Sequence, residues 1–158
     1  MLECDSDADL EIVKTSMDAL RQKPVVMIGD DTDLLVLAMH YMACESQCNQ
    51  NLFMKRPSSK TIIDIKKVVA GQPRHVITNI LAIHAMSGCD TVSALAGIGK
   101  NKLIKSAVKD PDMSADLQMF MTPDVDRDTI SACGQNILTK LYHSGKQRNV
   151  TFDQLRRM

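Results

Sequence analysis

The sequence predicts an α/β fold in which a small parallel sheet is flanked by helices. A short, fully apolar run, Val25–Ile28, has the character of a buried parallel strand. The segments on both sides of this run repeat apolar residues at helical spacing, and polar turn residues separate the segments. The length of 158 residues suits one domain built around a single core.

The first elements are a helix, a strand and a second helix. Residues 5–20 are predicted to be helical, because acidic residues that can cap a helix precede apolar residues at helical spacing. Pro24 ends this helix, and the strand Val25–Ile28 follows. After an acidic turn at 29–33, residues 34–42 are again predicted to be helical. Strand, turn and helix in this order form half of a βαβ unit.

The remaining elements are one further strand and several helices. Residues 51–55 are predicted to form a second strand, and residues 61–70 an amphipathic helix that Gly71 ends. Residues 73–86 are predicted to form a more apolar helix. In the polar C-terminal part, residues 129–142 show the clearest helical spacing.

The predicted organisation has a boundary near Asp110. Residues 1–110 form the main domain, and residues 111–158 form a helical tail. We expect the tail to pack on the core of the domain, because a segment of this size is too small to build a core of its own.

Composition limits the function classes. Lys and Arg total 19, and so do Asp and Glu, so the formal net charge is zero and nucleic-acid binding would need a local basic patch. The 5 cysteines, an odd number without a signal peptide, favour reduced thiols in an intracellular protein. No apolar run approaches the length that crosses a bilayer, so no membrane partner is expected.

Aspartates gather at the ends of the predicted elements. In open α/β sheets, sites form at the carboxyl ends of strands, which is where the turn at 29–33 lies. Clustered carboxylates repel one another, and a bound divalent cation with a preference for oxygen ligands relieves that repulsion. The alternative is that each aspartate only caps a helix. The three clusters are Asp5/Asp7/Asp9, Asp30/Asp31/Asp33 and Asp90.

Four short motifs occur in a fixed order between residues 5 and 108. They read Asp7-Ala8-Asp9, Asp31-Thr32-Asp33, Gly88-Cys89-Asp90 and Gly97-Ile98-Gly99. In this order they resemble the internal part of the flap endonuclease and 5′-exonuclease family, a branch of the PIN-like nucleases. The run Gly-Asp-Asp-Thr-Asp-Leu-Leu and the C-terminal tail also look like uncharacterised, transposon-associated PIN-like proteins of animals.

The resemblance implies a metal-dependent DNA nuclease with a partial PIN-like sheet. It implies two Mg²⁺ or Mn²⁺ ions, of which one prepares a water molecule and the other stabilises the leaving oxygen. The substrate would be branched or flap-like DNA, and the location nuclear. By position, the metal ligands would be Asp7, Asp9, Asp31, Asp33 and Asp90, of which Asp31, Asp33 and Asp90 are the catalytic candidates.

The last motif is similar to a helix-hairpin-helix turn, and we expect a short helix on each side of it. The resemblance implies that backbone N–H groups at Gly97 and Gly99 meet a DNA phosphate, with K⁺ as a candidate ion at the turn. Lys100, Lys102 and Lys105 would add phosphate contacts. The alternative is an ordinary connection between two short helices, where glycine is common because of its φ freedom.

The chain has no match to the upstream part of the family pattern, which carries a central strand with its own aspartate. We therefore expect an incomplete nuclease domain with an incomplete metal site, unpaired strand edges and a tendency to self-associate through the sheet. Such a fragment would be inactive alone and would become active only if upstream sequence completed the domain. The alternatives are a non-catalytic module that binds nucleic acid or protein, and an unrelated α/β protein whose acidic turns are caps.

Other candidate sites are weaker. His40, Cys44 and Cys48 recur every four residues and suit either zinc or a partly buried helix face. His84 lies in an apolar stripe and is interpreted as a packed histidine. The run at 94–101 is not a phosphate loop, because Ala94 and Asn101 replace required residues.

Overall fold

A computed structural model describes residues 7–45, 49–90 and 92–142. Within these ranges the fold is α/β, with eight helices and a small sheet of three strands. The chain divides into two compact units, Met1–Ile80 and Leu81–Met158, which are described in turn. In the described part of the chain, no helix is long and apolar enough to span a membrane.

Unit 1 begins with the predicted helix, strand and helix. Helix α1 spans Ala8–Leu20, strand β1 spans Val25–Ile28 and helix α2 spans Thr32–Cys44. Helix α1 packs against both β1 and α2. The prediction for these three elements is confirmed, because periodicity and capping residues are local signals. Asp5, which we included in the first helix, lies outside the described residues.

The sheet is mixed, whereas we predicted a parallel sheet: the two predicted strands pair in parallel, and a third strand adds an antiparallel pair. Strand β2, Leu52–Lys55, pairs parallel with β1, with Val25 opposite Leu52. Strand β3, Ile62–Asp64, pairs antiparallel with β2. The strand order is β1-β2-β3, which leaves β1 and β3 at the edges.

Strand β3 replaces the start of a predicted helix. We predicted one helix over 61–70, but helix α3 spans only Ile65–Ala70. Asp64 caps α3, and its carboxylate accepts a hydrogen bond of 3.1 Å from the Lys67 N–H. The β-branched residues before this cap suit an extended strand that folds back on β2, and this pairing overrides their helical spacing.

Strand β1 is buried on one face only, which corrects the prediction of a fully buried strand. The Met27 side chain is 3% exposed, whereas Val26 and Ile28 are 54% and 71% exposed. The apolar run alone could not distinguish a strand that is buried on both faces from an edge strand with one exposed face.

The predicted helix over 73–86 is interrupted. Helix α4 spans Arg74–Thr78 and helix α5 spans Ile80–Met86, with Asn79 between them. The Asn79 side-chain amide donates a hydrogen bond of 2.9 Å to the His75 carbonyl. Such local side-chain bonds compete with helical backbone bonds and favour a break at this position.

Among the described residues of unit 2 beyond α5, the longer regular elements are all helices. Helices α6, α7 and α8 span Lys100–Lys109, Pro111–Met119 and Arg127–Tyr142. Helix α7 packs against both α6 and α8. The predicted boundary near Asp110 coincides with the junction of α6 and α7, inside unit 2. The core of these helices includes Leu103, Met113, Leu117, Ile137 and Leu141.

Asp110 joins this junction to α8 and leads to a testable prediction. Its carboxylate caps α7 through the Met113 N–H at 3.1 Å and pairs with the Lys140 ammonium at 3.1 Å. Burial raises the pKa of Asp110, but the hydrogen bonds from Lys140 and Met113 outweigh it, so the pKa lies below its ordinary value. We expect Asp110→Ala to reduce the free energy of unfolding by about 1 kcal/mol at neutral pH, as for loss of a helix cap.

The stabilisation that Asp110 provides depends on pH, and its lowered pKa sets the direction of this dependence. Because the folded-state pKa of Asp110 is lowered, its stabilising contribution is present above the ordinary value of 3.8 and is lost as pH falls through the folded value. Urea denaturation between neutral pH and strong acid measures this loss. Asp110→Asn keeps a capping oxygen but removes the charge, so an acid profile identical to that of the unmodified chain would contradict the prediction.

Candidate metal and nucleic-acid site

The acidic turn of residues 29–33 follows β1 at the carboxyl end of the parallel strand pair. The Gly29 N–H extends the ladder by donating to the Lys55 carbonyl at 3.1 Å. Asp31 is exposed and caps α2, with its Oδ1 accepting from the Asp33 N–H at 2.8 Å. Asp33 lies in the first helical turn and is half-buried. The turn therefore has the predicted position, and its local geometry is that of a helix cap.

Asp30 connects this turn to the loop after β2. Its carboxylate accepts from the Ser58 hydroxyl at 2.6 Å and from the Ser58 N–H at 3.2 Å. The Lys55 ammonium in turn donates to the Ser59 carbonyl. Asp30 was not among the candidate ligands. Asp30 links the two loops through Ser58, which lies 28 positions away along the chain. No local sequence signal indicates a contact of this kind.

The first acidic motif also forms a cap. Asp7 is exposed and caps α1, with its Oδ1 accepting from the Asp9 N–H at 3.0 Å. Asp9 lies in the first turn of α1 and is half-buried. Carboxylates here are stabilised by the positive end of the helix dipole without a metal.

Asp90 belongs to unit 2 and lies in an exposed turn. Cys89 and Val92 form an isolated antiparallel bridge around it, with N–H to carbonyl distances of 3.0 and 3.2 Å. Among the residues that the structure describes, no three His, Cys, Asp or Glu side chains are grouped to hold a metal ion. The role of the five aspartates as ligands therefore stays a prediction.

Gly88 links the Gly-x-Asp motif to the glycine turn. Its φ of 94° lies in the left-handed region, and an added Cβ would lie 2.7 Å from the Ala94 Cβ. Its carbonyl accepts a hydrogen bond of 3.0 Å from the Lys100 ammonium. Lys100, a predicted phosphate ligand, thus makes an intramolecular contact that joins the two motifs.

The glycine turn precedes α6 directly. Gly97 has a φ of 67°, and Gly99 is the N-cap residue, with no side-chain hydrogen bond capping α6. The buried Ile98 anchors the turn, and its N–H donates to the Leu95 carbonyl at 2.9 Å. A Cβ added at Gly97 or Gly99 would meet no atom within 4 Å. The turn is therefore an open surface of backbone.

The surroundings of this turn differ from the expected pair of short helices. A helix follows it, but residues 92–96 before it form no helix. The Tyr142 hydroxyl at the end of α8 donates to the Ala96 carbonyl at 2.7 Å and supports the turn instead. The prediction of flanking helices is wrong on the N-terminal side, where a tertiary contact supports the chain.

Helix α6 has a basic face along a shallow groove. Three lysines, Lys102, Lys105 and Lys109, line this groove, which has a volume of about 460 Å³. Asn101 and Ser106 are the other described residues that line the groove, and none of its described lining residues is acidic. Lys109 was not predicted, although it follows Lys102 by seven residues and thus falls on the same helix face. The opposite face of α6 is anchored by the buried Leu103 and Ala107.

The described cysteines and histidines bear on two of the weaker candidate sites. The Cys44 thiol lies 4.0 Å from the His40 Nε2, and burial lowers the pKa of His40. Cys48, the third ligand of the zinc alternative, lies outside the described residues. His84 is buried at 9% exposure, which agrees with its interpretation as a packed histidine. Burial raises the pKa of the Cys133 thiol, which favours its protonated form.

Comparisons with known proteins found no relative of this chain. No family model matches it, and no curated protein or solved structure matches it significantly.

Proposed function

We propose that this chain is part of a metal-dependent nuclease domain of the flap-endonuclease type, with a partial PIN-like sheet and DNA as its ligand. The observation that carries the proposal is the exposed glycine turn at the start of α6 together with the basic groove along the same helix. An open backbone turn, a helix N-terminus without a side-chain cap and three lysines follow one another along the chain. Its chemistry suits a phosphate backbone.

Two physical effects act together at this surface. The first N–H groups of a helix lack partners within the helix and carry partial positive charge, so they favour an anion. Each lysine that neutralises a phosphate releases condensed counterions, which drives binding without reading the base sequence. The proposed contact therefore positions DNA and leaves selectivity to the shape of the substrate. K⁺ at the turn would need carbonyl ligands, and the Ala96 carbonyl already accepts from Tyr142.

The acidic turn after β1 is the proposed contribution of unit 1 to metal binding. The cap on α2 uses Oδ1 of Asp31, which leaves Oδ2 of this exposed carboxylate for a cation. Carboxylate oxygens are ligands that Mg²⁺ and Mn²⁺ prefer. A bound pair of such ions would supply an activated water molecule and stabilise the leaving oxygen of the phosphodiester. Asp7, Asp9 and Asp33 are the other proposed ligands in unit 1, and Asp90 in unit 2 stays a predicted ligand.

A non-catalytic DNA-binding module is the second candidate. The caps formed by Asp7 and Asp31 favour it, because each accounts for an acidic residue at a helix start without a metal. In this alternative the groove on α6 keeps its function, and the acidic turns serve stability alone.

A metal titration separates the two candidates. We expect Mg²⁺ or Mn²⁺ to bind the full chain saturably and to raise its melting temperature, because a ligand of the folded state at one hundred times its Kd adds about 2.7 kcal/mol of stability. The double variant Asp31→Asn/Asp33→Asn is expected to lose this binding. Asparagine keeps a capping oxygen at position 31, so the fold is retained while the charge is removed. Calorimetry and thermal melting measure both effects.

Asp64→Asn is the matched control. Asp64 caps α3 in the same unit and pairs with Lys67, but it belongs to no predicted ligand set. We expect this variant to bind the metal like the unmodified chain. Equal metal binding by all three proteins, or none by the folded unmodified chain, would reject the metal site and favour the non-catalytic module.

A further inference from the structure

The outer edge of β1 in unit 1 is a strand edge with no partner among the described residues. The order β1-β2-β3 places β1 at the end of the sheet. The Val25 and Gly29 N–H groups point toward β2, to the carbonyls of Asn51 and Lys55. Because consecutive residues of a strand direct their backbone groups to opposite edges, Val26 and Ile28 direct theirs outward.

The same two residues carry the exposed apolar side chains of the strand. Val26 is 54% exposed and Ile28 is 71% exposed. An edge with unpaired backbone groups and exposed β-branched side chains favours pairing with another strand, and a lysine that would block such pairing is absent from residues 25–28. The edge therefore has both the hydrogen-bonding groups and the side chains that strand addition uses.

We propose that β1 pairs antiparallel with β1 of a second copy of this chain, which joins two three-stranded sheets into one. A two-fold axis brings identical surfaces together, and two copies of one edge then run antiparallel. In the register that sets Val26 opposite Ile28 of the second copy, each of these pairs exchanges two backbone hydrogen bonds. The apolar side chains of each pair lie on the same face and contact each other.

Charge supports a second copy as the occupant. Counted in the same register, Lys23, which precedes β1 by two residues, falls opposite Asp31, which follows β1 by three residues. Lys23 of each copy then lies opposite Asp31 of the other, and both residues are exposed. The edge is thus complementary to itself in charge, in apolar pairing and in hydrogen bonding. This inference does not rest on the proposed nuclease function, and its test does not involve DNA or metal.

Sedimentation of the full chain tests the proposal. We expect a species of twice the 17.5 kDa chain mass that dissociates on dilution. Ile28→Lys is expected to yield the monomer at the same concentration, because it places a charge at the centre of the paired edge. Ile62→Lys is the matched control: Ile62 is 59% exposed on β3, at the other edge of the sheet, and this variant is expected to remain dimeric.

Charge reversal tests the register. In the variant Lys23→Asp, the new carboxylate lies opposite Asp31 of the second copy at both ends of the pairing. We expect the repulsion between them to weaken the dimer by roughly tenfold. Lys23→Asp/Asp31→Lys restores opposite charges and is expected to recover the dimer, with circular dichroism used to verify the fold because Asp31 caps α2. A monomeric unmodified chain at its highest soluble concentration, a dimer that survives Ile28→Lys, or a double variant no better than Lys23→Asp would each overturn the proposal.

Discussion

Gly88→Ala is expected to destabilise unit 2 by about 3 kcal/mol, as two separate costs add. A φ of 94° is strained for any residue with a Cβ. The new Cβ would also lie 2.7 Å from the Ala94 Cβ and 2.9 Å from the Ala94 Cα. Since one of these atoms belongs to the backbone, the loop itself must move, which also disturbs the hydrogen bond from Lys100 to the Gly88 carbonyl.

Two other glycines in the same unit provide graded controls. Gly97 has a φ of 67° but open space around it, so Gly97→Ala is expected to cost roughly 1 kcal/mol from backbone strain alone. Gly99 has an ordinary φ of −89° and open space, so Gly99→Ala is expected to have almost no effect on the free energy of unfolding. Urea denaturation of the three variants measures the loss in the free energy of unfolding at each position, which is expected to be largest at Gly88 and smallest at Gly99. Similar losses at all three positions would contradict the described geometry of the loop.

Removal of the three groove lysines is expected to abolish most DNA binding. Lys102→Ala/Lys105→Ala/Lys109→Ala should weaken binding of a flap or duplex oligonucleotide by about 100-fold at moderate salt and reduce the salt slope of log K by about 3. Lys102, Lys105 and Lys109 are exposed and alanine is a good helix former, so the melting temperature should not fall. Fluorescence anisotropy over a series of salt concentrations measures the binding and its slope.

A second triple variant separates the groove from net charge. Lys14, Lys60 and Lys67 are exposed lysines of unit 1, outside the groove. Their combined replacement by alanine removes the same charge and is expected to leave the affinity within about threefold. Equal losses in the two triple variants would show that binding follows net charge, and an unchanged affinity in the groove variant would exclude α6 as the contact.

The roles of individual aspartates differ in how far the sequence predicts them. Asp7 and Asp31 begin helices as predicted, because an N-cap bond reaches only two residues along the chain. The tie between Asp30 and Ser58 joins two loops and depends on how β1 and β2 pair. A shared metal among Asp7, Asp9, Asp31, Asp33 and Asp90 requires distances across the fold, which neither spacing nor capping determines.

The lysines of the basic surface also differ in how far the sequence predicts their roles. Lys100, Lys102 and Lys105 were predicted as phosphate contacts from their position after the glycine turn. The structure engages Lys100 with the Gly88 carbonyl and adds Lys109 to the groove. Helical periodicity was sufficient to find Lys109, whereas the contact of Lys100 depends on the path of the irregular chain before α6.

By itself, the sequence determined the α/β class, helices α1, α2 and α8, strands β1 and β2, and the turns that begin the helices. These features depend on interactions within a few residues, namely apolar periodicity, capping oxygens and the conformational freedom of glycine. Only the tertiary structure decided that β3 is a strand, that Asn79 divides a helix and that β1 lies at an exposed edge. Each of these depends on which segments pack together, because strand pairing and burial join residues that are distant along the chain.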